Sequence, residues 1–259
     1  MTGALVTGAG HRLGRAMAVY LAKRGHDVAV HYASSDQGAQ ETVAEIEALG
    51  GRAVPLQADM LDEDATQSLF TRAVDALKCP VTCLVNNASI FEHDSLETAT
   101  RASWDRHIDS NLRAPFILTQ AMAAQGLAPT YDDMGEPVAT GLIVNMVDQR
   151  VRKLTPEFMT YTLAKMGLWA LTQTSARALA PSIRVNAIGP GPTLQGARQS
   201  AEHFAKQRAA TVLERGANPS DIVAALGYFL DAPAVTGQLL CVDGGQHLAW
   251  ETPDVVGVE

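Results

Sequence analysis

The sequence has few cysteines, and none of them lies in a metal-binding pattern. Only three cysteines occur in 259 residues, an odd number that favours reduced thiols in a cytoplasmic setting. Cys79 and Cys83 are four residues apart, and no group of histidines or cysteines lies near them to complete a metal site. We therefore predict that these two side chains pack in the core and that the protein binds no metal.

Long apolar runs and an excess of basic residues are also missing. Although 47% of the residues are hydrophobic, no run approaches the length of a membrane span. The strand-like segment ALVTG begins at Ala4, which leaves no room for a secretory signal. Acidic residues outnumber basic ones by 28 to 20, so there is no basic surface typical of nucleic-acid binding. Internal repeats and low-complexity tracts are not found either, and the length favours one large α/β domain over residues 1–259.

Buried strands alternate with amphipathic helices along the chain. Runs of branched apolar residues predict strands over 4–7, 27–32, 52–57, 81–85, 142–148, 183–188 and 238–242. Apolar residues at helical spacing lie between them, including a long helical stretch over 96–122 and a helix over 221–230. Residues 125–141 contain Pro, Asp and Gly and indicate an exposed excursion. The alternation predicts one parallel sheet that is covered by helices on both sides.

A glycine-rich turn joins the first predicted strand to the first helix. Gly8, Gly10 and Gly14 let the backbone approach a pyrophosphate, while the helix N-terminus offers free N–H groups and a positive dipole end. A glycine turn alone could be merely structural. In this strand–turn–helix context, however, it predicts a dinucleotide site.

The second strand ends without the acidic residue that NAD-binding folds use to bond the ribose 2′-hydroxyl. The residues that stand there instead are His31, Tyr32, Ala33, Ser34 and Ser35. Because a carboxylate would repel a 2′-phosphate, its absence favours NADP, and Arg12 could reach that phosphate with help from the two serines. The alternative is that Arg12 is a solvated surface charge and Ser35 a helix cap.

Three polar residues each have two interpretations. Asp59 follows the third strand, where adenine would lie, but it could equally cap a turn or helix. Asn87 could contact the cofactor ribose or bond the backbone of a neighbouring strand. Asn111 lies inside a predicted helix, where a buried Asn is unfavourable without a role. It could bend the helix and hold a water on a proton relay to Lys165, or form an interhelical hydrogen bond.

Tyr161 and Lys165 lie one helical turn apart, so their side chains share a face. Thr155 and Pro156 resemble a helix start, with a hydroxyl N-cap and Pro at the first position. An ammonium group beside a phenol favours the phenolate, which predicts a lowered pKa for Tyr161 and a role in proton transfer near neutrality. The Tyr-x-x-x-Lys spacing also occurs by chance on surface helices, so its weight depends on the rest of the chain.

A rigid turn over 189–193 follows the sixth predicted strand, at the sheet edge where ligands bind in doubly wound folds. The polar, weakly patterned residues after it predict a substrate lid over 193–215, or a poorly packed surface helix.

The segments TGAGHRLG, NNAS, YTLAK and NAIGPGP occur together and in this order. Jointly they resemble the short-chain dehydrogenase/reductase family over nearly the whole chain. The resemblance implies a Rossmann-type, doubly wound parallel sheet of seven strands, a three-layer αβα fold, hydride transfer from a nicotinamide, and a homotetramer or homodimer. It also implies that Tyr161 is the catalytic acid, Lys165 its pKa partner and ribose anchor, and Asn111 the relay residue.

The central strand departs from most of that family. Where a pattern such as VNISS places a serine that polarises a carbonyl, this chain has VNMVD, with Asp148. That change is similar to the pteridine reductase branch, as are GHRLG, the HY pair, QAD and Phe91 in NNASIF. In that branch the equivalent of Phe91 stacks on the pterin against the nicotinamide. A carboxyl beside Tyr161 could accept from amino and N–H groups or help to deliver a proton to a ring nitrogen.

These residues have alternatives as well. Asp148 could cap a loop or pair with Arg150 or Arg152, and Phe91 could be a core residue. The branch commonly has a basic residue after the HY pair, whereas this chain has Ala33 and Ser34, so NADP affinity would depend on Arg12 and the serines.

We therefore predict an NADPH-dependent pteridine reductase acting on dihydropterins or dihydrofolate-like substrates. The alternatives are a short-chain reductase of another ketone or imine and a non-catalytic NADP-binding regulatory protein. The predicted catalytic residues are Tyr161, Lys165, Asp148 and Asn111, and the predicted substrate residues are Ser89, Phe91, Asp148 and Tyr161. The predicted NADP(H)-binding residues are Gly8, Gly10, His11, Arg12, Leu13, Gly14, His31, Tyr32, Ser34, Ser35, Asp59, Met60, Asn87, Ala88, Tyr161, Lys165, Pro190, Gly191 and Thr193.

Overall fold

A parallel sheet built from seven of the short apolar runs forms the centre of the protein. The computed structural model describes residues 2–196 and 199–250. Its strands are β1 (Thr2–Val6), β2 (His26–Tyr32), β3 (Ala53–Gln57), β4 (Val81–Asn86), β5 (Thr130–Tyr131), β6 (Pro137–Val138), β7 (Gly141–Met146), β8 (Ile183–Pro190) and β9 (Leu239–Val242). The strand order β3-β2-β1-β4-β7-β8-β9, parallel throughout, confirms the predicted Rossmann-type fold.

Eight helices cover the sheet within the described ranges. They are α1 (Arg12–Lys23), α2 (Asp36–Ala48), α3 (Glu63–Leu77), α4 (Arg101–Ile108), α5 (Ala114–Ala124), α6 (Met159–Leu179), α7 (Ala201–Ala209) and α8 (Pro219–Asp231). A π-helical turn (Asp109–Arg113) joins α4 to α5, and short 3₁₀ turns span Gln149–Arg152 and Gln246–Leu248. In this part of the chain, no helix is long and apolar enough to cross a membrane.

Two hydrophobic cores lie on opposite faces of the sheet. One packs α1, α2 and α8 against the strands, with Met17, Ile46 and Phe229 buried at its centre. The other contains Leu69 of α3 and Leu118 of α5. The sheet is therefore the middle layer of three, as predicted, because each strand has apolar side chains on both faces. Cys83 is buried and Cys79 is partly buried against these cores, as the sequence predicted.

Two local predictions were wrong. The helix that carries Tyr161 begins at Met159 and not at Thr155, because Phe158 adopts a left-handed conformation (φ 58°) that interrupts any earlier turn. The stretch predicted as helical from residue 96 becomes helical only at Arg101, where Thr100 and Ser103 form a capping box. The excursion predicted over 125–141 is exposed at residues 130–137, as expected, and it also contains the small antiparallel hairpin β5–β6.

Candidate active site

Two neighbouring cavities open at the carboxyl edge of the sheet, where the strand order reverses between β1 and β4. The first has a volume of about 640 Å³ and the second about 710 Å³. Arg12 and Leu13 line both, so the two spaces adjoin at the glycine-rich turn. Together they form an elongated cleft that ends beside Asp148.

Most of the predicted cofactor residues come together here. Those that line the first cavity are Gly8, Gly10, His11, Arg12, Leu13, Gly14, His31, Tyr32, Ser34, Ser35, Asp59, Met60, Asn87 and Ala88. Pro190, Gly191 and Thr193 line the second cavity. The sequence did not single out Gln57, Leu61, Arg106 and Ser110, which also line the first cavity and reach it through the tertiary fold.

The glycine-rich turn requires glycine at two positions. Gly8 has a φ of +63°, a conformation that L side chains rarely adopt. A Cβ on Gly14 would lie 2.1 Å from the Gly8 carbonyl oxygen, so only glycine lets α1 begin this close to the end of β1. The free N–H groups at the start of α1 consequently face the first cavity, where an anionic group can bind.

His31 braces this turn from beneath. Its side chain is buried, its Nδ1 lies 3.0 Å from the Gly8 nitrogen, and its Nε2 lies 3.0 Å from the Ala58 oxygen. Since Gly8 N–H donates to Nδ1, the ring must carry its proton on Nε2 and donate it to Ala58. Burial lowers the pKa of His31 to about 4, which keeps the ring neutral. The imidazole therefore ties the glycine-rich turn to the segment that follows β3.

Asn87 and Asp59 both form the backbone contacts that their structural interpretations predicted. The Asn87 amide donates to the carbonyls of Thr7 (2.8 Å) and Gly8 (3.2 Å). An Asp59 carboxylate oxygen accepts from the Leu61 N–H at 3.0 Å. Both residues also line the first cavity, so these contacts fix their place beside the predicted cofactor.

Arg12 contacts a different segment from the one predicted. Its guanidinium donates to the carbonyls of Leu194 (3.1 Å) and Gln195 (2.9 Å), and its backbone has a φ of 55°. This side chain therefore bridges the glycine-rich turn and the start of the predicted lid. The two carbonyls accept from the two arms of the guanidinium, and these charge-assisted bonds direct the side chain toward the lid.

Tyr161 and Asp148 meet at the end of β7. The phenol donates to Asp148 Oδ2 at 2.9 Å, and Tyr161 is only 5% exposed. The other carboxylate oxygen, Oδ1, accepts from the Arg150 N–H at 2.8 Å and begins the 3₁₀ turn. Asp148 thus caps a loop and contacts the tyrosine at the same time, so the two interpretations of this residue are compatible.

The pKa of Tyr161 is shifted in the opposite direction from the prediction. Burial raises it well above the usual 10, and the Asp148 carboxylate raises it further, while Arg150 and Ser89 act in the lowering direction. Burial also raises the pKa of Asp148. The sequence argument considered only the lysine one turn away and had no information on the dry, acidic surroundings. This pair holds its proton tightly at neutral pH.

Lys165 is buried beneath the pair. Its Nζ donates to the Met146 carbonyl at 2.7 Å and lies 5.7 Å from the centre of the Tyr161 ring. Burial lowers the pKa of Lys165 to about 8, although Asp148 acts to raise it. The predicted juxtaposition of ammonium and phenol is present, and the ammonium is anchored on the carbonyl at the end of β7.

Phe91 covers the tyrosine from the loop after β4. Its ring stacks on Phe158 with centroids 4.4 Å apart and an 8° angle, and it meets Tyr161 edge-on at 4.7 Å. Phe91 is 46% exposed and lines the second cavity, so it is not a core residue. Phe158 was missed from the sequence, because it was placed inside the predicted helix. Arg150 was considered only as a partner of Asp148, whereas the Arg150 guanidinium lies 4.9 Å from the Phe158 ring.

Asn111 lies in the π-helical turn and is fully buried. Its side-chain oxygen accepts from Ile90 N–H and its amide donates to Ile90 carbonyl, both at 2.8 Å. Neither alternative from the sequence included this contact, which holds the loop before Phe91. A π-helical turn often marks a functional position, and the proton-relay role of Asn111 stays a prediction.

The predicted lid over 193–215 contains α7. Residues 197 and 198 of the lid lie outside the described residues. Arg208 of α7 donates to the carbonyls of Pro192 (2.8 Å) and Ala217 (2.6 Å). Phe204 and Gln199 line the second cavity. This segment therefore covers the end of the cleft that contains Asp148. The described residues also contain no group of three or more His, Cys, Asp or Glu side chains able to hold a metal.

Comparisons with known proteins agree with this geometry. A family model described as enoyl-(acyl carrier protein) reductase matches residues 8–247. The 3-oxoacyl-[acyl-carrier-protein] reductase FabG of Staphylococcus aureus is 31% identical over 250 residues, which cover 95% of this chain and 98% of that protein. The 3beta-hydroxysteroid dehydrogenase 1 of Eggerthella lenta is 34% identical over 94% of this chain and 93% of that protein. The structure of FolM alternative dihydrofolate reductase 1 from Brucella suis, in complex with NADP, matches with a TM-score of 0.90 and 41% identity, covering 98% of each chain.

Proposed function

The chain belongs to the short-chain dehydrogenase/reductase family, and we propose that it is an NADPH-dependent pteridine reductase. Its substrates would be dihydropterins or dihydrofolate-like compounds. The observation that carries this proposal is the 2.9 Å hydrogen bond from Tyr161 to Asp148, at the position where most of the family has a hydroxyl. The similarity to FolM alternative dihydrofolate reductase 1, at 41% identity, supports the same conclusion.

NADP(H) is the cofactor that fits the cleft. The first cavity combines the glycine-rich turn and the N-terminus of α1 for the diphosphate with two hydroxyls, Ser34 and Ser35, at the end of β2. No carboxylate follows β2 before Asp36, so nothing there repels a 2′-phosphate. The neighbour from Brucella suis is in complex with NADP. When bound, NADPH supplies the hydride for the reaction.

In this proposal the protein donates a proton to the substrate and holds the proton donor in place. Reduction of a C=N bond requires a proton at the ring nitrogen, and the Tyr161 phenol is the group we assign to deliver it. Burial and Asp148 raise the pKa of that phenol and so keep it protonated before the transfer to the ring nitrogen. The Asp148 carboxyl can accept from amino and N–H groups of the heterocycle or share in the proton transfer. The Lys165 ammonium, anchored on Met146, would stabilise the charge left on the phenol and hold the ribose.

Phe91 and Ser89 complete the proposed substrate site. Phe91 lines the second cavity, and its ring offers a flat apolar surface beside the Tyr161 phenol. Stacking of a flat heterocycle on it would contribute about 0.5–1.5 kcal/mol beyond burial, by analogy with aromatic pairs. Ser89 lines the adjoining first cavity and acts to lower the pKa of the Tyr161 phenol. We further propose that residues 193–215 close over this site as a lid, and that the protein is a cytoplasmic homotetramer or homodimer.

The direct test is oxidation of NADPH by the purified protein with 7,8-dihydrobiopterin and dihydrofolate, with NADH measured in parallel. We expect turnover with NADPH on at least one of these compounds. The absence of turnover with every pterin and folate tested, while the protein still binds NADPH, would remove the pteridine assignment. Tight binding of NADPH without turnover of any pterin, ketone or imine would instead favour a regulatory protein.

A second candidate function is reduction of a ketone or another imine. The 31% identity to a 3-oxoacyl-[acyl-carrier-protein] reductase favours it. Asp148 argues against it, because an ionised carboxylate carries no proton to donate to a carbonyl oxygen. A panel containing a 3-oxoacyl thioester and simple ketones separates the two, and faster turnover of those than of dihydropterins would favour the second candidate.

A further inference from the structure

The loop that carries Phe91 is held on both sides of that residue by one helical face. Asn111 binds both backbone groups of Ile90, while the Glu92 N–H donates to His107 Nε2 at 3.2 Å. His107 and Asn111 are four residues apart, so their side chains project from the same side of the helix. Both are fully buried. The position of the Phe91 backbone is therefore fixed by two buried polar side chains.

His107 also contacts the helix that carries the tyrosine. Its Nδ1 lies 2.7 Å from the Thr160 hydroxyl oxygen, and Thr160 directly precedes Tyr161. The Thr160 hydroxyl in turn donates to Asp94 Oδ2 at 2.5 Å. The Thr160 hydroxyl has a single proton, which it donates to Asp94. It must therefore accept a hydrogen bond from His107. The Glu92 N–H already occupies Nε2 as a donor, so both neighbours require His107 to be neutral with its proton on Nδ1.

Asp94 anchors the start of α6 from a distant part of the chain. Its Oδ1 accepts from the Thr160 N–H at 3.1 Å, and its backbone carbonyl accepts from the N–H groups of Phe158 (2.7 Å) and Met159 (3.3 Å). Ser103 of α4 donates to Oδ2 at 3.0 Å. A carboxylate that satisfies free N–H groups at a helix start stabilises that start. Burial would raise the pKa of Asp94, but the hydrogen bonds from Thr160 and Ser103 lower it overall, so the group stays ionised.

We propose that Asp94, Thr160 and His107 form a positioning network that sets the Tyr161 phenol and the Phe91 ring relative to each other. The chain of hydrogen bonds has one direction, from Glu92 N–H through His107 and Thr160 to Asp94. It joins the loop that carries the stacking surface to the first turn of the helix that carries the proton donor. The proposal rests on the proposed function in so far as it assigns proton donation to Tyr161 and stacking to Phe91. None of the three network residues touches the reacting atoms.

The first test reads the network without any substrate. Nitrogen-15 NMR of histidine-labelled protein distinguishes an imidazole protonated on Nδ1 from one protonated on Nε2, and loss of a signal in His107→Asn identifies the residue. We expect the neutral Nδ1–H form at pH 7. In Asp94→Asn the Thr160 hydroxyl loses its anionic acceptor, so its bond from His107 Nδ1–H weakens. The Glu92 N–H still keeps the proton on Nδ1, and we therefore expect the Nδ1–H form to persist with a changed chemical shift. An Nε2–H form in the unmodified protein, or a signature unchanged in Asp94→Asn, would overturn the proposal.

The second test separates the two ends of the network with two substitutions of His107. His107→Asn places an amide where Nδ1 lies, so the bond to Thr160 can persist while the bond to Glu92 is lost. His107→Gln can place an amide oxygen where Nε2 lies, so the opposite bond persists. Misplacement by about 1 Å can cost up to about 100-fold in rate, and these partial losses should cost about tenfold. We expect His107→Asn to raise the KM for the pterin, and His107→Gln to lower kcat.

Matched controls separate positioning from loss of stability. Asp62 accepts from the Ala65 N–H at 3.1 Å at the start of α3 and lines neither of the two cavities, so Asp62→Asn neutralises a comparable carboxylate at a helix start. Thr174 is an exposed threonine on the same helix as Thr160 and bonds only its own preceding turns, so Thr174→Val is the control for Thr160→Val. We expect similar losses of Tm in Asp94→Asn and Asp62→Asn, and a larger loss in Thr160→Val than in Thr174→Val because Thr160 is buried and leaves two partners unsatisfied. A lower kcat is expected only for Asp94→Asn and Thr160→Val, with rescue in Thr160→Ser.

The outcomes are distinguishable from failure of the proposed function. If the protein reduces a ketone and no pterin, the proposed function fails, and the same variants are measured on that ketone with the same expectation for kcat. If the variants change Tm as the controls do and leave both kcat and KM unchanged, the network is only structural and the positioning role is wrong.

Discussion

The Tyr161 phenol donates a hydrogen bond of 2.9 Å to Asp148, a residue 13 positions earlier in the chain. β7 places Asp148 at the carboxyl edge of the sheet, and the first turn of α6 brings Tyr161 back over it. Both groups are removed from water, and burial raises the pKa of each. A proton donor and a carboxyl thus share one hydrogen bond at the end of the cleft.

Replacement of Asp148 tests its part in substrate selection. We expect Asp148→Asn to lower kcat on dihydropterins about 100-fold, a typical loss for one group in acid–base catalysis, with NADPH affinity unchanged. Asp148→Ser introduces the hydroxyl that most of the family has, and should shift activity toward ketones. Asp105, a partly exposed aspartate on α4 that pairs with Arg101, lines neither cavity, so Asp105→Asn is the control in the same steady-state assay. Equal pterin rates in Asp148→Asn and the unmodified enzyme would contradict the role.

Removal of the Tyr161 hydroxyl tests the proton donor. Tyr161→Phe keeps the ring packed against Phe91 but cannot donate a proton, so kcat should fall about 100-fold or more. The dissociation constant for NADPH, followed by fluorescence, should change little. Turnover that is unaffected by this substitution would show that another group supplies the proton.

Phe91 can be tested by its preference for flat substrates. In Phe91→Leu we expect a KM for dihydropterins raised about tenfold, which corresponds to about 1.4 kcal/mol and lies within the range for aromatic stacking. The KM for a small aliphatic ketone should not move. Phe91→Tyr keeps the ring and serves as the conservative control. A similar rise in KM for both substrate types would mean that Phe91 only shapes the cavity.

The buried Lys165 predicts how stability depends on pH. Burial lowers its pKa from 10.5 to about 8 in the folded state, so between these pH values the unfolded chain binds more protons. The contribution of this residue to the free energy of unfolding therefore rises from pH 8 to pH 10.5. We expect the stability of the unmodified protein relative to Lys165→Met to increase over that window in urea denaturation. If the difference in the free energy of unfolding between the two proteins did not change over this window, the pKa of Lys165 would not be lowered in the folded state.

The buried His31 predicts how stability changes at acidic pH. Its pKa is lowered to about 4 by burial, so between pH 6.5 and 4 the unfolded chain binds the additional proton. Stability that is present above pH 6.5 is therefore lost as the pH falls through 4. The His31→Gln variant should lack most of this acid sensitivity and should bind NADPH about tenfold more weakly, since a lost buried bond costs about 1–3 kcal/mol and loosens Gly8. Isothermal calorimetry and acid titration of unfolding check both expectations.

The pattern of strands and helices was sufficient to predict the sheet, because a strand that is buried on both faces requires a continuous run of apolar residues in the sequence. The glycine-rich turn could also be predicted from the sequence, because the close approach of α1 to β1 excludes every side chain at Gly14 and so requires glycine there. For Arg12, the charge predicts a contact with the 2′-phosphate, which stays a prediction. Only the fold shows its bonds to the carbonyls of Leu194 and Gln195, more than 180 residues away.

The sequence by itself determined the parallel αβα fold, the dinucleotide turn and the identity of the residues at the end of the cleft, because these depend on local spacing and side-chain type. Only the tertiary structure decided the direction of the Tyr161 pKa shift and the start of α6. Both depend on groups that are distant in the chain: the buried surroundings with Asp148 in the first case, and Asp94, which binds the backbone of Phe158 and Met159, in the second. Local sequence carries no record of such contacts, since desolvation and long-range capping arise only when the segments pack together.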